Sequence, residues 1–440
     1  MVFNQFLRKN FGNDYTENKY TILETQKKRF IINERSIKLS VVTQFFPPDY
    51  AATGQLIEEL VKQLGLQGVD VEVFTGQPGY AFGTNEAPAL EQNGRVHVRR
   101  SRVTQIFSQR IRAKAISGLL FFIRALFYLL INNRRHNVLL VTTAPPFLPI
   151  LGYLANVFFG ISFVCVLYDL YPDIAVELGV IPKNHWLAWF WQQVNKIVWR
   201  AASSIVVLSP AMKRRVIANC PEVANKVSVI HSWADPDLII PIAKQENWFA
   251  WKHDLVKKFT VLYSGNMGRC HDMDTIMDTI KLLQNEPIQF AFVGSGAKYQ
   301  ELSGEVERLK LKNCVFLPYQ DKQVLPYSLT ACDLSLVSVD KGFESLVAPS
   351  KLYGVLAAGK PVAAICSQNS YLRQMIASAN CGESFENGNS NGLAKFIRHL
   401  NQDRQLVKAM GLAGRGYLEK HFTPEVISKK YLEVLFKSFD

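Results

Sequence analysis

The sequence lacks the features that define several classes of protein. Its seven cysteines are scattered and none forms a C-x-x-C pair, which argues against a disulfide framework or a zinc site. The first 36 residues are polar and basic, without the apolar segment that a secretory signal needs. No internal repeat or low-complexity tract is present. We therefore expect reduced core cysteines in a globular protein that stays inside the cell.

Acidic residues are missing from one long stretch of the chain. Between His97 and His136 there are nine Lys or Arg residues and no Asp or Glu. This stretch contains an apolar run, residues 115–131, that only Arg124 interrupts. The run is short for a membrane span, because a crossing helix needs about 20 apolar residues. It favours a helix on the membrane surface, and a core helix and a true span are the alternatives.

The bulk composition is otherwise that of a folded protein with more than one domain. The chain has 440 residues, 48% of them hydrophobic and 20% charged, and two domains are expected. Its formal charge of +13 predicts attraction to phosphate-bearing partners. A nucleic-acid partner is disfavoured, because the basic residues flank an apolar run and are not interleaved with aromatic residues.

Apolar, β-rich runs alternate with helical segments along most of the chain, which is typical of an α/β fold with parallel strands. The first strand is predicted at Lys38–Phe45, followed by a loop to Gly54 and a helix from Gln55 to Leu66. A turn-rich segment, residues 231–241, separates this pattern from a second one that begins with a strand at Phe259–Ser264. We predict two doubly wound Rossmann-like domains that face each other across a cleft.

Three segments of the second domain have the composition of anion-binding loops. The loop Gly265–Arg269 follows a strand, and its glycines and arginine suit a phosphate, although a tight turn with a solvated arginine is the alternative. The loop Val293–Gly296 lacks the third glycine of a dinucleotide fingerprint and by itself indicates only a turn. Ser350 is predicted to cap a helix that starts at Lys351, where a diphosphate could bind; an ordinary capped helix is the alternative.

Two D-x-D triplets, Asp235–Asp237 and Asp272–Asp274, raise the possibility of a metal site. The first lies in the predicted linker and the second starts a helix, where carboxylates favour the helix dipole. We therefore expect no metal, and we interpret His231 and His271 as ordinary loop residues.

Six motifs occur in an order that resembles glycosyltransferase family 4, most closely the branch that acts in colanic acid and other exopolysaccharide or O-antigen assembly. The resemblance covers about residues 37–437. The motifs are Phe46–Asp49, Ala144–Phe147, Tyr168–Asp173, Tyr263–Arg269, Phe292–Gly296, and Pro349–Tyr353 together with Ala357–Val362.

The resemblance implies the GT-B architecture and a retaining, metal-independent glycosyltransferase that needs no cofactor. A UDP- or GDP-sugar would be held by residues 236–440 and a lipid-linked glycan acceptor by residues 37–235, after a polar extension of residues 1–36. The last helix would cross back to the first domain. Such an enzyme would be cytoplasmic and attached peripherally to the inner face of the plasma membrane.

Residues are assigned to roles partly from their place in the predicted fold and partly from the resemblance. Asp169, at the carboxyl end of a strand that faces the cleft, is the catalytic candidate of the first domain, as an acceptor ligand or base; capping of the following segment is the alternative. Arg269 and Lys351 would stabilise the departing diphosphate. Pro318 and Tyr319 would lie near the nucleobase. The other donor residues would be Gly265, Asn266, Gly294, Glu344 and Ser350, and a loop near the acceptor and phosphates would contribute Tyr50, Thr53 and Gly54.

The sequence departs from the family pattern at one point. Many members carry a Glu-x7-Glu pair near the donor sugar, and the corresponding residues here are Leu346 and Gly354, with Glu344 two positions away. This departure keeps a catalytically degenerate partner subunit among the alternatives. A sugar-nucleotide epimerase on the same fold is a further alternative, but we find no carboxylate or histidine set for it.

Overall fold

The computed structural model describes residues 37–49, 51–78, 87–101, 111–132 and 137–439. The polar extension of residues 1–36 and Tyr50 lie outside the described residues. Within these ranges the chain forms two sheets, each with helices on both faces, so that the predicted α/β class and doubly wound architecture are confirmed.

The first sheet has eight strands in the order β3-β4-β2-β1-β5-β6-β7-β8, all parallel except for β3, which runs antiparallel to β4. Its central strands are buried on both faces, as their unbroken apolar sequences predict. In chain order the elements are β1 (Lys38–Val42), α1 (Ala52–Leu66), β2 (Asp70–Thr75), β3 (Leu90–Asn93), β4 (Val96–Arg100), α2 (Ile111–Asn132), β5 (Val138–Thr142), α3 (Pro149–Phe159), β6 (Ser162–Leu167), α4 (Asp173–Glu177), α5 (Trp186–Ala201), β7 (Ser204–Val207), α6 (Pro210–Asn219) and β8 (Val227–Val229).

The second sheet has six parallel strands in the order β11-β10-β9-β12-β13-β14. Its elements are α7 (Trp248–Lys252), β9 (Phe259–Ser264), α8 (Asp274–Leu282), β10 (Ile288–Val293), α9 (Tyr299–Arg308), β11 (Cys314–Leu317), α10 (Leu325–Thr330), β12 (Leu334–Ser338), α11 (Lys351–Ala357), β13 (Val362–Ile365), α12 (Tyr371–Ala379), β14 (Gly382–Phe385), α13 (Ser390–Gln402), α14 (Arg404–His421) and α15 (Pro424–Phe439).

The first strand and the first helix differ from their predicted limits. The strand ends at Val42, and α1 begins at Ala52, so that Thr53 and Gly54 belong to its first turn and not to the preceding loop. A Cβ atom on Gly54 would lie 3.0 Å from the carbonyl of Phe45. The missing side chain therefore lets the first turn of the helix pack on the loop backbone, which explains its early start.

The last helix, α15, lies against the first sheet, although it follows the second sheet in the chain. Gln67 of α1 donates a hydrogen bond to the Ser428 hydroxyl at 2.7 Å, and Ser438 donates to Ser204 at 3.1 Å. The two sheets are thus joined twice, once by the linker that follows β8 and once by the connection between α14 and α15.

Helix α2 packs on the first sheet, beside α3. Its inner side chains Phe121 and Tyr128 stack on Phe74 of β2. Its outer side chains form an exposed apolar row at helical spacing: Ile116, Leu119, Leu120, Ile123, Phe127, Leu130 and Ile131. Among the described residues, no helix combines the length and apolarity needed to cross a membrane.

Arg415 of α14 ties the linker to the second sheet. Its guanidinium donates hydrogen bonds to the carbonyls of Pro236 at 2.8 Å and of Ile239 and Ala357 at 2.6 Å. A lysine cannot reproduce this planar fork. We therefore expect Arg415→Lys to lower the free energy of unfolding by about 2–3 kcal/mol, measured by urea denaturation.

The matched control is Arg308→Lys, which alters an exposed arginine paired with Glu305 on the surface of α9. Exposed ion pairs of this kind contribute little, so the control should unfold like the unchanged protein. Equal denaturation midpoints for both variants would show that Arg415 does not hold the linker.

Candidate active site

Two glycine-rich loops at the carboxyl ends of β9 and β10 pack directly on each other. A Cβ atom on Gly294 would lie 2.2 Å from the carbonyl oxygen of Gly265, and one on Gly296 would lie 2.5 Å from that of Met267. Both Gly294 and Gly296 have positive φ angles, which disfavour other residues. The loop Val293–Gly296 therefore supports the loop Gly265–Arg269, a role that its own spacing did not reveal.

Lys351 points from the start of α11 towards this pair of loops. Its ammonium group lies 4.0 Å from the centre of the Tyr263 ring, donates a hydrogen bond to the Tyr263 hydroxyl, and lies 3.3 Å from the carbonyl of Asn266. Removal from water lowers the pKa of Lys351 to about 7. No carboxylate among the described residues forms an ion pair with it. The site thus holds a desolvated cation that an anionic ligand would neutralise.

Two further residues around Lys351 were not predicted from the sequence. His271 is buried, and its Nδ1 lies 2.7 Å from the carbonyl of Ser338; burial lowers its pKa to about 3, so its ring is neutral. Lys298 donates a hydrogen bond to the carbonyl of His271 at 2.8 Å and pairs with Asp340. The sequence does not indicate this cluster, because His271, Lys298 and Lys351 follow three different strands, β9, β10 and β12.

Ser350 does not cap α11, contrary to the prediction. Its own backbone is already helical, with φ −63° and ψ −22°, and its side chain makes no capping hydrogen bond. A capping residue needs an extended backbone to turn its oxygen towards the first free amides. The charge of Lys351, and not a capped helix start, is therefore the feature of this segment that suits an anion.

The remaining predicted donor residues lie at the carboxyl ends of the same strands. Arg269 and Asn266 are exposed on the loop after β9. Pro318 and Tyr319 follow β11, and the Tyr319 hydroxyl lies 3.4 Å from the carbonyl of Ser295. The carboxyl edge of the second sheet thus brings together a cation, two glycine-rich loops and an aromatic ring.

Asp169 reaches the cleft from the first domain, two residues after the end of β6. Burial raises its pKa to about 6. Burial, followed by the nearby Asp169 carboxylate, also raises the pKa of Cys270, which lies beside the loop Gly265–Arg269. The capping alternative does not hold, because Pro172 is the residue before α4 and no side chain caps that helix. Asp169 therefore faces the candidate donor site with a pKa suited to proton transfer near neutral pH.

The segment around Leu346, where the family's Glu-x7-Glu pair has its first glutamate, connects the two domains. The carbonyl of Leu346 accepts a hydrogen bond from the Leu170 amide at 3.3 Å, one residue beyond Asp169. Glu344 accepts a hydrogen bond from the Gly342 amide at 3.0 Å through one oxygen, while its other oxygen is buried without a partner among the described residues. Gly354 lies on α11, where a Cβ atom would only touch Leu329.

The D-x-D carboxylates hold backbone and side chains of their own segments. Asp272 accepts hydrogen bonds from the Thr275 amide and hydroxyl and from Asn387. Asp235 accepts from the amide of Asp237 at 2.8 Å. The part of the chain that the structure describes contains no group of three or more His, Cys, Asp or Glu residues that could hold a metal ion.

The chain matches the models of two domain families. Residues 52–233 match the glycosyl transferase 4-like domain, and residues 245–417 match the glycosyl transferases group 1 domain. Together they cover most of the chain and both sheets. The protein is a glycosyltransferase of the GT-B fold with a family 4-like first domain.

Individual relatives agree with this assignment. The chain is 25% identical over 403 residues to the Pseudomonas aeruginosa protein named "Probable glycosyltransferase WbjE", which covers 90% of this chain and 96% of the relative. It is also 25% identical over 335 residues, 73% of this chain and 82% of the relative, to WcaI of Escherichia coli K12, whose name assigns it provisionally to colanic acid biosynthesis.

Two solved structures share the fold. Sucrose-phosphate synthase from Thermosynechococcus elongatus superposes with a TM-score of 0.73 at 16% identity, over 92% of this chain and 99% of that protein. HepE of Anabaena in complex with UDP and glucose superposes with a TM-score of 0.67 at 14% identity, over 91% and 99%.

The low pKa of Lys351 makes anion binding sensitive to pH. Above pH 7 the free side chain is mostly neutral, and a bound diphosphate would stabilise its ammonium form, so binding of UDP at pH 8 should be accompanied by proton uptake. At pH 6 the side chain is already charged and the uptake should vanish. Calorimetric titrations in buffers with different ionisation enthalpies measure this difference.

Two variants separate charge from titration. Lys351→Arg keeps a charge that does not titrate, so it should bind UDP without proton uptake at either pH. Lys351→Ala should weaken binding about tenfold or more. Proton uptake at pH 8 that persists in Lys351→Arg would assign the titration to another group.

Proposed function

We propose that the protein transfers a sugar from a UDP- or GDP-sugar to a lipid-linked glycan, with retention of configuration and without a metal ion, in the assembly of an extracellular polysaccharide or O-antigen. The observation that carries this proposal is the ammonium group of Lys351 against the loop Gly265–Arg269, without an ion-pair partner among the described residues, while Asp169 lies near Cys270 beside the same loop. The provisional role of WcaI in colanic acid biosynthesis supports the polysaccharide product.

The donor diphosphate would lie between Lys351 and the loop Gly265–Arg269. The exposed guanidinium of Arg269 can turn onto the phosphates and, with Lys351, stabilise the charge that develops on the leaving diphosphate. Tyr319 would lie beside the base, and the partnerless oxygen of Glu344 is available to a hydroxyl of the donor sugar. The UDP and glucose in HepE support a donor of this class.

Asp169 would accept a hydrogen bond from the attacking hydroxyl of the acceptor and take its proton. Because burial raises its pKa to about 6, the carboxylate is the active form and the rate of transfer should rise as the pH increases through about 6. The proposals that the anomeric configuration is retained and that no metal ion is needed rest on the family resemblance. The hydrogen bonds that the carboxylates of Asp272 and Asp235 accept support the proposal of metal independence.

The decisive experiment incubates the purified protein with radiolabelled UDP- and GDP-sugars and with lipid-linked glycans extracted from the source cells. We expect transfer from one donor, and a loss of about 100-fold or more in Asp169→Asn together with loss of the pH-dependent limb near pH 6. UDP affinity should be unchanged in this variant, since Asp169 lies across the cleft from Lys351.

Other results would assign the protein differently. UDP binding without transfer or donor hydrolysis from any tested sugar would favour a degenerate partner subunit. Conversion of the donor to its epimer without an acceptor would favour an epimerase.

We also propose that the first domain rests on the cytoplasmic face of the membrane, as a peripheral protein. Beside the exposed row of α2, the neighbouring α3 exposes Val157 and Phe158, and α5, which packs on α3, exposes Trp186, Trp189 and Phe190. This is more than the scattered apolar residues of ordinary surfaces. The exposed Arg124 within the row of α2 favours anionic lipids.

Phe127 lies in the middle of this apolar face and is 59% exposed, so a charge there should disturb the membrane contact without disturbing the core. We expect Phe127→Glu to reduce binding to anionic vesicles about tenfold or more in flotation assays. Leu412→Glu is the control, because Leu412 is 62% exposed on α14 of the second domain. Equal loss in both variants, or no loss in either, would contradict the assigned face.

A further inference from the structure

A cavity opens between the two domains. It has a volume of about 990 Å³ and lies between α4, α5 and α6 of the first domain and residues 342–346 of the second. Ligand sites in proteins commonly have volumes of about 300–1,000 Å³. The cavity is therefore large enough for several sugar units.

The cavity is connected to the reacting groups through the chain. Leu346 lines its wall and accepts the hydrogen bond from Leu170, which follows Asp169 directly. The segment from Asp169 to Asp173 thus runs from the candidate base to the cavity lining. The cavity and Asp169 are therefore joined by four residues of one short segment.

The polar groups of the cavity fit an uncharged or weakly charged ligand. Asp173 is neutralised by Arg215, whose Nε donates to it at 2.9 Å. Glu177, Lys183, Asn184 and Gln192 also line the cavity, and none has a side-chain hydrogen bond to another described residue. The charges of the lining nearly cancel, in contrast to Arg269 and Lys351 at the donor site. A second nucleotide diphosphate would therefore find little charge to pair with.

The rim of the cavity is aromatic. Trp186 and Trp189 line it and are 68% and 63% exposed. A sugar ring presents hydroxyl groups at its edge and C–H bonds on its face, so amide and carboxylate side chains beside an indole ring match both parts. The same two tryptophans lie on α5, the helix that packs on α3.

We infer that this cavity binds the saccharide portion of the acceptor, with Gln192, Asn184 and Glu177 holding its hydroxyl groups and Trp189 stacking on a ring. The inference rests on the proposed function, because it names the substrate part that the first domain holds. The lipid portion of the acceptor then leaves the cavity past Trp186, towards the apolar face.

A binding experiment tests the cavity without requiring turnover. The probe is the water-soluble glycan fraction released by mild acid from the lipid-linked glycans of the source cells, titrated into the full-length protein and followed by calorimetry. We expect binding that weakens about tenfold or more in Gln192→Ala and in Trp189→Ala. Phe127→Ala, on the apolar face outside the cavity, should bind the released glycan like the unchanged protein.

The outcomes separate this inference from the proposed function. No binding of the glycan, or equal binding by all variants, would overturn the cavity assignment even if transfer from a nucleotide sugar is observed. Glycan binding that depends on Gln192 would support the cavity assignment, whether or not a donor is turned over. Failure to turn over any donor would count against the transferase function and not against the cavity. Loss of vesicle binding alone in Trp189→Ala, with glycan binding unchanged, would assign Trp189 to the membrane face and refute its role in the cavity.

Discussion

The candidate site depends on one electrostatic constraint, the desolvated ammonium group of Lys351. A charge removed from water is costly unless an opposite charge or several hydrogen bonds compensate it. Here the ammonium group contacts the aromatic face of Tyr263 and the carbonyl of Asn266, and desolvation lowers its pKa to about 7. A bound anion such as a diphosphate would supply the opposite charge.

This constraint is held in place by backbone contacts that only glycine allows. The carbonyl of Gly265 occupies the space where a side chain on Gly294 would be, and the amide of Gly265 donates a hydrogen bond to the carbonyl of Val293 at 2.8 Å, which holds the loop against the end of β10. On the other side, the hydroxyl of Tyr353 on α11 lies within hydrogen-bond distance of Nδ1 of His231, at 3.2 Å. Because burial lowers the pKa of His231 to about 4, this ring stays neutral and can accept. Helix α11, which carries Lys351, therefore contacts the linker between the domains. A movement of one domain relative to the other would shift the ammonium group of Lys351.

Local chemistry in the sequence was enough to predict most strands and the loops at their ends, because buried parallel strands and glycine turns leave strong local patterns. It was not enough for β3, whose four residues Leu90–Asn93 are all exposed and have no apolar alternation. The capping role of Ser350 failed for a different reason: the residue type was suitable, but its backbone is helical. The contact of Leu346 with Leu170 joins residues of different domains, so no spacing in the sequence could indicate it.

The position of α5 explains how one helix could contact both the cavity and the membrane. Its buried side packs on α3, its amino-terminal end lines the cavity with Trp186 and Trp189, and its outer side adds Phe190 and Ile197 to the apolar face. Indole rings are suited to such a boundary, since one part of the ring is apolar and the N–H group is polar. An acceptor with a sugar head and a lipid tail has its own boundary at the same place. If the first domain rests on the bilayer through α2, α3 and α5, the acceptor need not leave the membrane to reach Asp169, and only its saccharide has to exchange water for the cavity.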